Sequence, residues 1–156
     1  MIRTIDGFHC DDAGDWVAEL SCLHNQHVRH RPPFSNRAWV ESETGRRERL
    51  GSDIECALCN RAELPNDLGL ARTAGPFDET TLPAALQHAH RVAERTWGQV
   101  RVLDGSVTFV MELTPQLVTA LRKGESQPIP PGVPHELRLE GPVQLEIDFL
   151  AKPPEA

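Results

Sequence analysis

Apolar and polar residues alternate in several short stretches, and each alternation predicts a strand. Ile2 to His9 and Trp16 to Leu20 are runs of strand-forming residues separated by Asp11-Asp12-Ala13-Gly14-Asp15, so a β-hairpin is expected there. Further along, Trp97 to Leu103 and Val107 to Leu113 flank Asp104-Gly105, a dipeptide that favours a tight hairpin turn. His135 to Leu139 and Val143 to Phe149 form another pair joined across Glu140-Gly141-Pro142. In the last run Val143, Leu145, Ile147 and Phe149 share one face, opposite Gln144, Glu146 and Asp148. The same parity puts His135 with Leu137 and Leu139, facing a core, and puts Asp148 on the polar face.

The stretch from Leu86 to Val92 reads two ways. As a strand, Leu86, His88, His90 and Val92 alternate with Gln87, Ala89 and Arg91, and both imidazoles face inward. As a helix, Pro83 occupies a first turn and Ala84, Ala85, Leu86, Ala89 and Ala93 supply propensity. On a helix, residues two apart point about 200° from each other and cannot share an ion.

Composition divides the chain. All four Cys and four of seven His precede residue 63, whereas 11 of 13 Pro follow it. The junction falls at Glu63 to Gly69, where Pro, Asn, Asp and Gly cluster as loop signals. The expected organisation is a first module over residues 1–62, a linker over 63–69 and a second module over 70–156. A length of 156 residues suits two small modules and excludes large multidomain architectures. No run approaches the roughly 18 apolar residues of a membrane span, and the N-terminus has no apolar signal region, so a cytoplasmic protein without membrane attachment is expected. A net charge of -7 and the absence of Tyr argue against nucleic acid as a partner. The arginines of the first segment, Arg29 to Arg49, are largely cancelled by Glu41, Glu43 and Glu48, which fits a solvated surface.

The first segment carries the clearer chemistry. About 60 residues with few large apolar side chains bury only a thin core, and domains of that size commonly need a staple. In a reducing compartment a metal is a better staple than a disulfide. Cys56-Ala57-Leu58-Cys59 offers two thiolates from one turn, and Cys22 with His24 offers a thiolate and an imidazole; His27 is the next imidazole in line. Thiolate and imidazole are the ligands zinc prefers, and four of them make a closed structural site. Reduced structural thiols and a redox-active Cys56/Cys59 pair are the competing readings. Cys10, beside the hairpin turn, is read as a free thiol. Gly7-Phe8-His9, Asp15 to Ala18, Cys22-Leu23-His24, Gln26 to His30, Pro32-Pro33, Trp39-Val40 and Cys56 to Cys59 resemble a small bacterial Cys/His, zinc-ribbon-like domain family of unknown function. The resemblance implies a Cys/His metal site and brings no activity; Leu23 stands where that family usually has Gly.

In the second segment Gly124 to His135 fits the second cupin motif, in which Pro and Gly shape a turn and the first inward residue of the next strand is a ligand. The first motif is met only in part, by His88, His90 and Glu94, with Arg101 in place of its Gly. Thr73 to Phe77, Thr80 to Pro83, His90, Thr96-Trp97, Val102 to Gly105, Pro130, His135 and Ile147 to Phe149 resemble the TehB/YeaR-like, tellurite-resistance-associated cupin-like domain. That resemblance implies a small β-barrel of jelly-roll type with an inward pocket.

The expectation is therefore a mainly β protein: a zinc-stapled hairpin domain followed by a cupin-like β-barrel. The expected zinc ligands are Cys22, His24, Cys56 and Cys59, and a divalent metal of open identity is expected on His88, His90 and His135. Glu94 is a fourth ligand, a general base or a surface carboxylate. The expected partner is a small molecule or oxyanion, in a stress or tellurite-resistance setting; the reading admits a homodimer. The alternative is a non-catalytic sensor whose zinc domain contacts a protein or nucleic-acid partner.

Overall fold

The computed structural model describes residues 1–155 and is mainly β. The first sheet is built from β1 (Ile2–Cys10), β2 (Trp16–Leu20), β3 (Asn25–His27) and β4 (Asp53–Glu55), all antiparallel in the order β3-β2-β1-β4. β1 and β2 form the expected hairpin, with Cys10 opposite Trp16 and Ile5 opposite Leu20. Its turn is held by Asp11, whose carboxylate accepts from the Ala13 and Asp15 amides at 2.9 Å. Between β3 and β4 lie a 3-10 turn (Ala38–Glu41) and α1 (Glu43–Glu48), which is capped by the Ser42 hydroxyl accepting from the Gly45 amide. One helical turn, α2 (Ala57–Asn60), follows β4.

The second sheet contains β5 (Gly69–Asp78), β6 (Trp97–Met111), β7 (Leu117–Arg122), β8 (Ser126–Ile129), β9 (His135–Arg138) and β10 (Val143–Ala151). β6 is its spine. Over Trp97 to Gly105 it pairs with β10 and, through Gly98 to Arg101, with β8; over Ser106 to Met111 it pairs with β7 and, from Thr108, with β9. Asp104-Gly105 is therefore not a hairpin turn but a corner in one continuous strand. The register against β10 slips there, with Leu145 opposite Val102 and Gln144 opposite Asp104. Gly105 has a φ of 70°, and a side chain on it would collide with the Pro142 carbonyl oxygen. The pairing expected between His135–Leu139 and Val143–Phe149 is also replaced: β9 and β10 are consecutive but each pairs with β6.

Face parity in β10 follows the alternation. Val143, Leu145 and Ile147 enter a core with Val100, Val102, Val107, Phe109, Met111 and Leu137. Asp148, on the opposite face, is nevertheless buried. Its carboxylate accepts from Arg101 at 2.6 and 3.1 Å and from the Thr73 hydroxyl at 2.7 Å, while Arg101 also reaches Glu146 at 2.6 Å. These bonds tie β5, β10 and β6 across their outer face, and the Arg101 hydrogen bonds hold the Asp148 carboxyl below its ordinary range.

The two sheets do not keep separate cores. Trp97, at the start of β6, is fully buried among Ile5, Ala18, Leu20, Val28 and the three inner cysteines of the first module. Its indole N–H donates to the Cys22 carbonyl at 2.7 Å. Arg95 adds a two-pronged pair to Asp6, at 3.0 and 3.1 Å. Among the described residues no helix is long and apolar enough to cross a membrane.

Candidate metal centre and adjoining cleft

Cys22 and His24 lie on the connection from β2 to β3, where the chain reverses tightly: the Leu23 amide donates to the Leu20 carbonyl and the Leu20 amide to the His24 carbonyl. Leu23 takes a φ of 70° to make this turn, a conformation that ordinarily favours Gly. On the other side, β4 delivers Cys56 at the N-terminal end of α2, and Cys59 follows inside that turn. β4 is itself held to β1, so the two halves of the cluster are brought together by sheet pairing between residues more than 30 positions apart.

All four residues are buried, and their ligand atoms lie within 4.8 Å of one another. The spacings test whether a metal fits. With Zn–S bonds near 2.3 Å and Zn–N near 2.0–2.1 Å, a regular tetrahedron places sulfurs about 3.8 Å apart and sulfur about 3.6 Å from nitrogen. The Cys22 and Cys56 sulfurs are 3.8 Å apart, and His24 Nδ1 is 3.4, 3.4 and 3.6 Å from the sulfurs of Cys22, Cys56 and Cys59. His24 Nε2 lies 2.8 Å from the Glu63 carbonyl, which only accepts, so Nε2 carries the proton and Nδ1 turns its lone pair to the sulfurs. The donor set, the spacing and the tautomer all fit a tetrahedral ion with three thiolates and one imidazole.

Without a cation the imidazole holds a second proton at neutral pH, which an ion must displace from Nδ1. Burial alone lowers the His24 pKa, but hydrogen bonds to Cys22 and Cys56 outweigh it and hold it at about 9. Hydrogen bonds from Cys22 and Cys59 push the Cys56 thiol far down, whereas those to Cys22 and Cys56 push Cys59 far up. Three sulfurs packed this closely cannot all carry charge without a cation among them. His27 is not in the cluster; it pairs with Asp11 at 2.8 Å on the surface. Cys10 is an exposed free thiol.

The second module gathers its expected ligands only in part. Residues 84–87 form a 3-10 turn rather than a strand, because the chain leaves Pro83 in helical turns and re-extends only at His88. His88 is exposed there. His90 makes a single bridge with His135, amide to carbonyl in both directions at 2.8 and 2.9 Å. The two rings meet edge to face, with centroids 5.4 Å apart. His135 is buried, stacks on Phe109 and is lowered in pKa by desolvation. Glu94 is not brought to these imidazoles. Its side chain is 76% exposed and 3.8 Å from Arg95, whose φ of 58° and anchor on Asp6 turn the loop outward. The expected trio with a general base is thus reduced to a pair. Among the described residues, the Cys/His cluster is the one group of three or more metal-type ligands.

A cleft of about 620 Å³ opens beside His90, between β5 and β10 on one side and residues 83–96 on the other. Phe77, Ile147 and Phe149 line the sheet side and Leu86 and Val92 the facing segment. The polar side chains on it are Arg72, His90, Arg91 and Thr96. Neither β5 nor this cleft was legible from alternation, since β5 contains Gly75-Pro76 and is mostly exposed. Trp97 carried a usable signal: a buried indole seeks an acceptor for its N–H.

Comparison with known proteins divides the chain in two. Residues 6–63 match the model of a family described as a protein of unknown function (DUF3565), and residues 72–147 match that of the TehB-like domain. A crystal structure of an E. coli (strain K12) protein superposes with a TM-score of 0.53 at 19% identity, covering 59% of this chain and 98% of that one. TehB from Haemophilus influenzae gives 0.48 at 18% identity, covering 56% of this chain but only 32% of its own. No curated protein matches. The chain is thus similar to the DUF3565 family over its first part and to the TehB-like domain over its second, with a Cys/His cluster that could hold a metal ion in the first.

Proposed function

We propose that this chain is a metal-stapled binding protein. In this reading zinc on Cys22, His24, Cys56 and Cys59 holds residues 1–62 together, residues 63–69 link them to the remainder, and residues 70–156 form a cupin-like module whose cleft takes a small molecule. The bound ion supplies a cross-link and no reactive position, since four protein ligands leave none open. The observation that carries the reading is the match between the cluster's spacings and a tetrahedral site with three sulfurs and one nitrogen. Binding is favoured over catalysis because the cleft is lined by no carboxylate and Glu94 faces solvent. The likeness to the TehB-like domain supports a stress-related or tellurite-resistance setting, and the sequence pattern a cytoplasmic one.

A second metal position on His90 and His135 is a further reading with one specific support. His90 Nδ1 is buried without a hydrogen-bond partner. His135 Nδ1 lies 3.1 Å from the Val133 carbonyl and so donates, leaving its Nε2 lone pair free to ligate.

Elemental analysis of the purified chain tests both. About one tightly held zinc per chain is expected, absent from Cys56→Ala and retained in Cys10→Ser and in the His90→Ala/His135→Ala double variant. A second, weaker equivalent lost only in the double variant supports the two-histidine position. Metal-free, fully folded protein contradicts the zinc reading.

A further inference from the structure

The cleft has a charge character opposite to that of the chain. The sequence carries 23 acidic and 16 basic residues, yet no acidic side chain lines the cleft, while two arginines do. Neither arginine is within ion-pair distance of a carboxylate among the described residues. Arg72 stacks its guanidinium 3.9 Å above the Phe149 ring, and Arg91 reaches only the Gly132 carbonyl, at 3.5 Å. Seven of the 16 Lys and Arg side chains have an acidic partner, and Arg72 and Arg91 are among those that have none among the described residues. On the same wall His90 keeps a buried ring nitrogen that no protein atom satisfies. A buried polar atom without a partner is costly unless a ligand or water supplies one.

Apart from Thr96, the remaining side chains on the cleft are apolar. Phe77, Leu86, Val92 and Ile147 offer no donor, so an ion hydrated on every side gains nothing from most of the cleft. The volume lies within the range of small-molecule sites, roughly 300–1,000 Å³. We infer that the cleft binds an amphipathic organic anion, a monocarboxylate with an aromatic or aliphatic body, rather than an inorganic oxyanion. The body lies against the apolar floor, and the carboxylate is met by the guanidinium groups of Arg72 and Arg91, whose donor forks suit it. This inference rests on the reading of the second module as a small-molecule pocket.

Calorimetric titration of the zinc-loaded full chain with 1-naphthoate, with the neutral 1-naphthalenemethanol and with sulfate tests it. Naphthoate is expected to bind saturably at one site, at least about tenfold more tightly than the alcohol, with no sulfate binding. Arg72→Gln/Arg91→Gln, both at exposed positions, is expected to remove that tenfold advantage and leave the alcohol unchanged. Ala85→Trp, which fills the exposed wall, is expected to weaken both. Equal binding of alcohol and carboxylate overturns the anion preference while leaving the pocket reading intact. Sulfate binding without naphthoate binding overturns the inference in favour of an inorganic oxyanion. Failure of all three probes overturns the pocket reading as well.

Discussion

Excess chelator at neutral pH is expected to unfold β1–β4 while leaving the strands of the second sheet largely formed. The first module buries few large side chains: Ile5, Leu20, Val28 and Val40 are its main aliphatic contributors, and three of its innermost positions are cysteines. At roughly 25 cal/mol per Å² such a core offsets little of the entropy of ordering some 60 residues. Structural zinc supplies apparent free energies of about 10–16 kcal/mol in comparably small domains, so its loss decides whether this module folds. Cys56→Ser and Cys59→Ser are expected to behave as the chelated protein does, and Cys10→Ser as wild type, since Cys10 is exposed and outside the cluster. Amide hydrogen exchange reads the outcome strand by strand. Protection lost across β1–β4 alone supports the staple; protection unchanged throughout argues that the thiols are merely packed.

Replacing Trp97 carries the second largest expected effect, because one residue serves both modules. It belongs to β6 by chain and to the first core by packing, and its N–H satisfies the carbonyl of a cluster residue. Trp97→Ala is expected to cost about 3–5 kcal/mol through the cavity alone. It also removes the edge-to-face neighbour of His24, whose centroid lies 5.4 Å away. Groups that orient ligands from outside the coordination shell commonly change metal affinity by about 10–100-fold, and a weakening within that range is expected here. Trp97→Phe keeps much of the volume and loses the hydrogen bond, worth about 0.5–1.5 kcal/mol net. Calorimetry is expected to show one melting transition in the wild type and two in Trp97→Ala. A single unshifted transition in the variant would mean the modules are joined by the linker and little else.

How much of this was readable from residues alone depended on whether the deciding contacts were local. Cys22, His24, Cys56 and Cys59 were legible because thiol and imidazole in a core-poor segment have few other uses, and His24 needed only the short turn after β2 to reach the cluster. Asp104-Gly105 misled because a hairpin and a strand corner make the same local demand, a residue tolerant of positive φ. What separates them is where β10 and β9 pair, and that is set by residues 30 and more positions away. His88 failed for a related reason: parity assigns it to a pocket only if Leu86 to Val92 is a strand, and the helical start at Pro83 prevailed. His135 followed parity because a regular strand begins there, opposite Met111 of β6. Arg72 and Arg91 were invisible as a pair, since nothing in their spacing announces that β5 and the 83–96 segment face one cleft.

The central claim, an ion held by three sulfurs and one nitrogen, is tested most directly by zinc-edge X-ray absorption on the purified chain. A first shell of three sulfurs at about 2.3 Å and one nitrogen at about 2.0–2.1 Å is expected, unchanged in His90→Ala/His135→Ala and absent in Cys56→Ser. A shell of nitrogen and oxygen alone, or one that survives Cys56→Ser intact, would contradict it.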